Sequence, residues 1–423
     1  MHQLTKAACL AALAVSGWCG IAAAQTQPPA VGTGLPPEEP TASTAPPKPL
    51  MALLNQVGVG QALDEANISI YGHAQASWTY SFNDPPNNAI AGRSFDFENE
   101  DLTFNQLSLT VERPVDVTEQ KFDVGFRFEN MYGGDARFLH SNGLLDHRGF
   151  PLAGNASDEV GPDEQYDLSQ LYVDVAIPVG NGLRLRGGKF ITLGGYEVVN
   201  PTGRPIYSPG LIFNYTLPFS HTGLLATYAL DPDARFVVDF GVTRGWDQAL
   251  EDNNDAVDVV GRLSWVATDE FALFATAYLG PQLNDDESHY RGVFDLVATY
   301  QYADNLSFAA NFNYGYDAGA NTLGNKDPQW VALEGWTVLM LNEYLNVNGR
   351  LGWINDDQGS RGIGTDLYSG TLGLGVKPIP SDNLWSNLMI RPELRLDYAE
   401  QSFFDGGDDH YQVTFATDVV FAF

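Results

Sequence analysis

Apolar and polar residues alternate along most of this chain. In "ISIYGHAQASWTYSF" (68–82), one phase reads Ile68, Ile70, Gly72, Ala74, Ala76, Trp78, Tyr80 and Phe82. The other reads Ser69, Tyr71, His73, Gln75, Ser77, Thr79 and Ser81. A period of two with one greasy and one polar face predicts a β-strand. Similar runs recur at 102–114, 121–132, 166–179, 183–195, 221–230, 235–246, 256–267 and 271–280. They continue at 290–302, 306–317, 329–341, 344–355, 365–378, 385–400 and 411–423. The pattern therefore predicts about sixteen strands, most about ten residues long or slightly more, which suits a tilted crossing of a bilayer. Nothing of comparable length after residue 68 has a helical period, so a crossover-rich α/β fold is excluded.

The connections alternate in length. Short, turn-like links (115–120, 180–182, 231–234, 268–270, 303–305, 342–343, 379–384) take turns with longer, often acidic ones (83–101, 133–165, 196–220, 247–255, 281–289, 318–328, 356–364, 401–410). A soluble sandwich has no reason to sort its loops in this way. An all-β, transmembrane, antiparallel up-and-down β-barrel does, with short periplasmic turns and long external loops. In lipid every backbone group must pair within the protein, so such strands have to close. An even strand count puts both ends of residues 67–423 on the periplasmic side.

The segment before the barrel fits export. Residues 1–24 read as a signal peptide, with Lys6 in the n-region, the apolar "AACLAALAV" and the small residues Ala22-Ala23-Ala24. Both cysteines, Cys9 and Cys19, lie in it, so no disulfide framework is expected afterwards. Residues 25–49 are rich in Pro, Thr and Ala and predict a periplasmic tether, and 50–66 a short amphipathic helix weakened by Gly58 and Gly60. With 22 Lys+Arg against 53 Asp+Glu, the formal charge is −31, which argues against nucleic acid as a partner.

If the apolar phase faces lipid, the polar phase lines the interior. It offers Asp123, Arg127, Glu129, Asp174, Arg184 and Arg186, then Asp258, Arg262, Arg291 and Asp295, and finally Arg350, Arg391, Glu393 and Arg395. So many charges of both signs predict a wet lumen, since an unpaired buried charge costs several kcal/mol. An arginine ladder facing acids would orient polar solutes in a transverse field; ordinary cross-strand pairing is the alternative. Strict alternation would turn Lys189 toward lipid, so a bulge is expected at Gly187-Gly188.

The stretch "GGKFITLGGYEVVNPTGRPIYSPGLIFNYTLPFSHTG" (187–223) stands apart, with seven glycines, four prolines and many large apolar residues. It resembles the beta-barrel porin-2, or OmpL-like, family of Gram-negative outer membranes, through its Gly-Lys-Phe, Gly-Tyr-Glu, Asn-Pro-Thr, Tyr-Ser and Pro-Phe-Ser-His-Thr-Gly progression. "ANISIYGHAQASWTYSFN" is similar to the family's start. The resemblance implies an outer-membrane porin over about 65–423 without naming a solute. Arg204 departs from the small polar residue expected at its position.

Residues 196–220 form the third external loop. Its prolines stiffen it, its glycines permit tight bends, and its aromatic and aliphatic side chains need a surface to pack on. It is expected to fold inward as a constriction, with Glu197, Arg204, Tyr207 and Phe213 as its key residues; a lid on the barrel rim is the alternative. His221 is expected to anchor it.

The function these features predict is passive diffusion of small polar solutes or ions through a water-filled pore. A substrate-specific channel for anions or sugars is an alternative, as is an outer-membrane enzyme or a plugged structural barrel. Histidines are few (His73, His140, His147, His221, His289, His410) and no GxSxG turn is present, so catalysis is not expected. No cofactor or metal is expected either. The expected partners are outer-membrane lipid and lipopolysaccharide, and the barrel-assembly machinery, which would read the terminal Phe423. The long second loop gives a homotrimer as a further possibility.

Overall fold

The computed structural model describes residues 49–118, 121–145 and 164–423. The predicted signal peptide, nearly all of the predicted tether and much of the second loop lie outside the described residues. Two short helices, α1 (Pro49–Gln56) and α2 (Gly60–Glu65), come first. They are separated at Gly58, whose φ of +81° suits glycine. Met51 of α1 is buried, with its sulfur 3.3 Å from the amide nitrogen of Ile70.

Among the described residues sixteen strands follow: β1 (Ser69–Ser81), β2 (Leu102–Arg113), β3 (Asp123–Gly133), β4 (Gln165–Ile177), β5 (Leu183–Ile191), β6 (Ser220–Ala229), β7 (Phe236–Thr243) and β8 (Asp258–Val266). The second half comprises β9 (Phe271–Pro281), β10 (Tyr290–Ala303), β11 (Leu306–Asp317), β12 (Gln329–Met340), β13 (Leu345–Asn355), β14 (Asp366–Val376), β15 (Leu388–Ala399) and β16 (Tyr411–Ala422). Each pairs antiparallel with its sequence neighbours, and β1 pairs with β16, so the sheet is a closed barrel without edges. At the seam, the backbones of Phe423 and Gly72 exchange two hydrogen bonds of 2.9 Å. A Cβ at Gly72 would meet the Phe423 ring at 2.9 Å, so the glycine lets the last aromatic ring close over the joint.

The two faces are chemically opposite. Outward positions are exposed and apolar, such as Leu171 and Val173 on β4, Leu351 on β13 and Leu372 on β14. Aromatic rings line both ends. Trp78, Tyr80 and Phe82 lie at the long-loop end with Tyr368 and Tyr398. At the short-turn end lie Phe236 with Trp265, Phe271 with Tyr300, and Trp385 with Phe421. Two aromatic girdles around an apolar band are the signature of a membrane-spanning barrel. Among the described residues no helix is long and apolar enough to cross a membrane.

One expectation needs correcting. The pairing passes through Gly187, Gly188 and Lys189 with no register shift on either side. The irregularity lies one strand away, in β4, between the pairs Glu129–Gln170 and Met131–Asp167. Lys189 is nevertheless only 4% exposed. Its ammonium donates to the Leu168 carbonyl at 2.8 Å, inside the irregular stretch, and reaches Asp167 at 3.4 Å. The extra residue in β4 thus gives a lysine on the lipid phase an internal partner.

Candidate functional site

The third loop leaves β5 after Ile191 and returns at Ser220. Its course follows from where its backbone groups find partners, because buried amides and carbonyls must be paired. Gly194 and Gly195 donate to the Tyr278 hydroxyl (2.6 Å) and to Asp295 (2.8 Å), and Tyr196 donates to Asn311 (3.1 Å). All three acceptors are inward side chains of β9, β10 and β11. Gly195 has φ +89°, which lets the chain turn inward here. Asn200 then accepts the Thr202 amide at 2.9 Å and closes a short 3₁₀ turn, Pro201–Gly203. The segment ends in a single-turn helix, α3 (Leu211–Tyr215).

The opposite wall holds the loop with charge. The Ser208 amide donates to Glu393 (3.0 Å), and those of Leu211 and Ile212 donate to the two oxygens of Glu334 (2.7 and 3.0 Å). Glu334 thereby caps α3 at its positive end, one oxygen for each amide. A Cβ on Gly210 would lie 2.4 Å from the Glu334 carboxylate, so only glycine permits this approach.

The arginines take the carbonyls. Arg391 donates to Pro201 (2.8 Å) and Arg204 (2.5 Å), Arg350 to Ser208 (2.5 Å), and Arg395 to Pro209 (2.7 Å). A proline-rich loop offers few donors but keeps all its acceptors, and a fork of guanidinium N–H groups suits them.

Glu197 lies at the centre of this clamp. It pairs with Arg350 at 2.8 Å and accepts from the Gly210 amide (2.6 Å) and the Trp336 indole (3.2 Å). Tyr207 is buried, and its hydroxyl donates to Ser77 of β1 at 2.7 Å. Burial lifts that phenol well above its usual pKa, so it stays a donor. Phe213 meets Phe95 and Phe219 at ring distances of 5.4 and 5.3 Å. His221 stacks on Tyr278 at 5.4 Å and lies 3.4 Å from the Thr192 hydroxyl, at the loop's root.

Arg204 is the exception. It is 2% exposed, and none of its three guanidinium nitrogens has a hydrogen-bond partner among the described residues. It lies near the rings of Phe95 (5.5 Å) and Phe213 (5.9 Å). Burial, reinforced by the like charge of Arg391, pulls it below the usual arginine pKa.

The predicted inward residues all face the interior, but most do not meet water. Arg350, Arg391, Glu393 and Arg395 lie beneath the loop and are almost fully buried, as is Asp295 opposite. Most of the remainder are ion-paired, some with residues outside the predicted set: Arg127 with Glu129 and Glu112, Arg186 with Asp174, Arg262 with Asp239, Arg291 with Asp317, and Asp123 with Arg113. Asp258 is held by Gln282. Arg184 is partly exposed and bonds Thr227 at 3.2 Å. The expectation of a wet ladder thus changes at mid-height, where the charges are satisfied by neighbours and by the loop backbone.

Sequence reasoning missed Glu334. Its signal is a lone acid in the inward phase Trp330, Ala332, Glu334, Trp336 of an otherwise apolar strand. It also missed that the first loop folds in: Arg93 reaches Asp397 at 2.6 Å, and Phe95 is buried. A further inward contact comes from the irregularity in the β1–β2 pairing between Gln75 and Ser77. There the adjacent Asn105 and Gln106 are both buried and donate to Asp135 at 3.0 and 2.7 Å. Among the described residues no group of three His, Cys, Asp or Glu could hold a metal ion.

Comparisons with known proteins agree with the barrel fold. The family model described as "Putative beta-barrel porin-2, OmpL-like" matches residues 67–423. A search of curated proteins finds no match. Among solved structures, the outer membrane channel DcaP of Acinetobacter baumannii is similar over 84% of this chain and 97% of its own, at 12% identity and a TM-score of 0.53. The anion-selective porin from Comamonas acidovorans covers 84% of this chain and 99% of its own (11% identity, TM-score 0.51). Pseudomonas putida OprB covers 87% and 97% (11% identity, TM-score 0.56). At these identities the likeness is one of fold.

Proposed function

Because this chain belongs to the outer-membrane porin family described as "Putative beta-barrel porin-2, OmpL-like", we propose that it is a diffusion channel whose passage is set by the docked third loop. As a porin it passes small polar solutes or ions passively. The observation that supports a narrow passage is the position of the clamp. Glu334, Arg350 and Glu393 lie near the middles of their strands and hold Glu197, Ser208, Leu211 and Ile212, which supports a loop seated at mid-height rather than on the rim.

In this reading the loop's apolar side chains pack inside while the wall's charges hold its backbone. Charges committed in this way add little to the field that a passing solute meets. The same reading includes export by cleavage after residue 24, insertion through the terminal Phe423, contact with lipid and lipopolysaccharide, and a homotrimeric assembly.

Single-channel conductance in a planar bilayer tests the proposal, using the refolded chain and a variant with 196–220 shortened. Steps that grow on shortening are the expected result. Equal steps in both would remove the loop from the passage, and no steps in either would mean a plugged barrel.

A further inference from the structure

We propose that Arg291 and Arg361, seated against Trp246 and Trp330 at the outer mouth, form an entry subsite for small organic carboxylates. The proposal rests on the porin reading and deepens it. Arg361 belongs to the seventh external loop. Its guanidinium carbon lies 5.5 Å from the Trp246 ring centre and 5.1 Å from that of Trp330. Arg291, at the outer end of β10, lies 4.7 Å from the same Trp246 ring. Two cations thus share one indole.

Their donors are not used up. Arg361 gives only its Nε, to the Tyr215 carbonyl at the end of α3 (2.5 Å), which places it on top of the third loop. Its two terminal nitrogens bond no described residue. Arg291 pairs with Asp317 through one terminal nitrogen, while its buried Nε and the buried Asp317 Oδ1 have no hydrogen-bond partner among the described residues. The other carboxylates nearby are engaged: Asp356 accepts the amides of Arg361 and Ile363, and Asp258 accepts from Gln282. Arg361 thus differs from Arg127, Arg186, Arg262, Arg350, Arg391 and Arg395, which are all in carboxylate pairs, while it is in none among the described residues.

Asp317 offsets one of the two cations, and a single anion shared between the guanidinium groups would gain charge-assisted contacts from both. A guanidinium presents paired N–H groups that match the two oxygens of a carboxylate. Arg361 is drawn down to about 10 by burial and by Arg291, so it remains a cation at neutral pH. Tyr215, whose carbonyl holds Arg361, belongs with Phe403 and Ala91 to a partly buried apolar ledge on the cluster that includes Ile363 and Leu211. That ledge favours a carboxylate carrying an apolar body over a bare inorganic anion.

The test uses the refolded full chain in a planar bilayer with potassium chloride as carrier. Sodium benzoate is added to each side in turn, with benzamide as its neutral counterpart and inorganic phosphate as a small anion. Benzoate is expected to interrupt the current in a concentration-dependent way from one side, and benzamide and phosphate much less. R361Q and R291Q should each raise the half-blocking concentration at least tenfold, while R361K should change it less than threefold. Equal block by benzoate and benzamide, equal block by phosphate, or an unchanged R361Q would each overturn the subsite. A chain that conducts but ignores benzoate defeats the subsite alone; one that never conducts defeats the porin reading as well.

Discussion

Glu334→Ala should free the third loop without unfolding the barrel. The carboxylate is 1% exposed and accepts two amides at the start of α3. Hydrogen bonds to a charged group contribute about 1.5–3 kcal/mol each, and a buried N–H left without a partner costs about 1–3 kcal/mol. Against this, alanine removes the desolvation cost of a buried carboxylate, which is itself several kcal/mol. We expect a net loss of about 2–4 kcal/mol in docking, or roughly a 30- to 1,000-fold rise in the undocked population. Glu334→Gln keeps an acceptor but loses its charge and should lose about half as much. The strand pairing of β12 does not involve this side chain, so the barrel's own unfolding midpoint should hold. Limited proteolysis between residues 200 and 216, read beside single-channel current, measures both effects. If Glu334→Ala is as protease-resistant as the parent and conducts identically, the clamp does not hold the loop and the reasoning fails.

Three further outcomes follow from the same geometry. Gly210→Ala places a methyl 2.4 Å from the Glu334 carboxylate and should reproduce the proteolytic sensitivity of Glu334→Ala; full resistance would contradict it. Arg204→Met removes a buried guanidinium with no hydrogen-bond partner among the described residues. The attraction between that cation and its two neighbouring rings is worth about 1–2 kcal/mol, less than the desolvation cost that methionine avoids. Urea unfolding should therefore show equal or greater stability, by up to about 3 kcal/mol; a clear decrease would refute this. Burial pushes Asp135 and Asp247 up to about 6, above the ordinary aspartate value. A carboxyl raised on folding holds its proton longer in the folded state, so stability falls as pH rises from about 4 to about 6. Urea midpoints should therefore rise on acidification in the parent and much less in the double variant D135N/D247N; identical slopes would refute the assignment.

The strands were legible because one face meets lipid and the other does not, which imposes a period of two that loops cannot imitate. Their inner ends were less so. The run 183–195 continues past Ile191 as a pattern, yet the strand stops there because Gly194 and Gly195 bond across the lumen to Tyr278 and Asp295. No local signal encodes such a partner. Lys189 shows the same limit: its burial depends on an irregularity in the neighbouring strand, where sequence alternation looks regular. The charged ladder was visible as residues, and Arg350, Arg391 and Arg395 were singled out for the right face. What they bind was not visible, because a carbonyl of Pro201 or Pro209 leaves no trace in composition. Glu334 was overlooked since a single acid among apolar residues carries no periodicity.

The clamp also fixes an order of events. The third loop departs from β5, yet the groups that hold it are supplied by β9 to β13, β15 and, through Ser77, β1. Contacts such as Arg391 to Pro201 span most of the later chain and cannot form until the C-terminal strands are in place. Assembly therefore runs from wall to interior. On this order the segment gains its full set of partners only once β15 stands in the wall. Protease resistance at residues 200–216 is thus a chemical timestamp for the arrival of β15 in the wall.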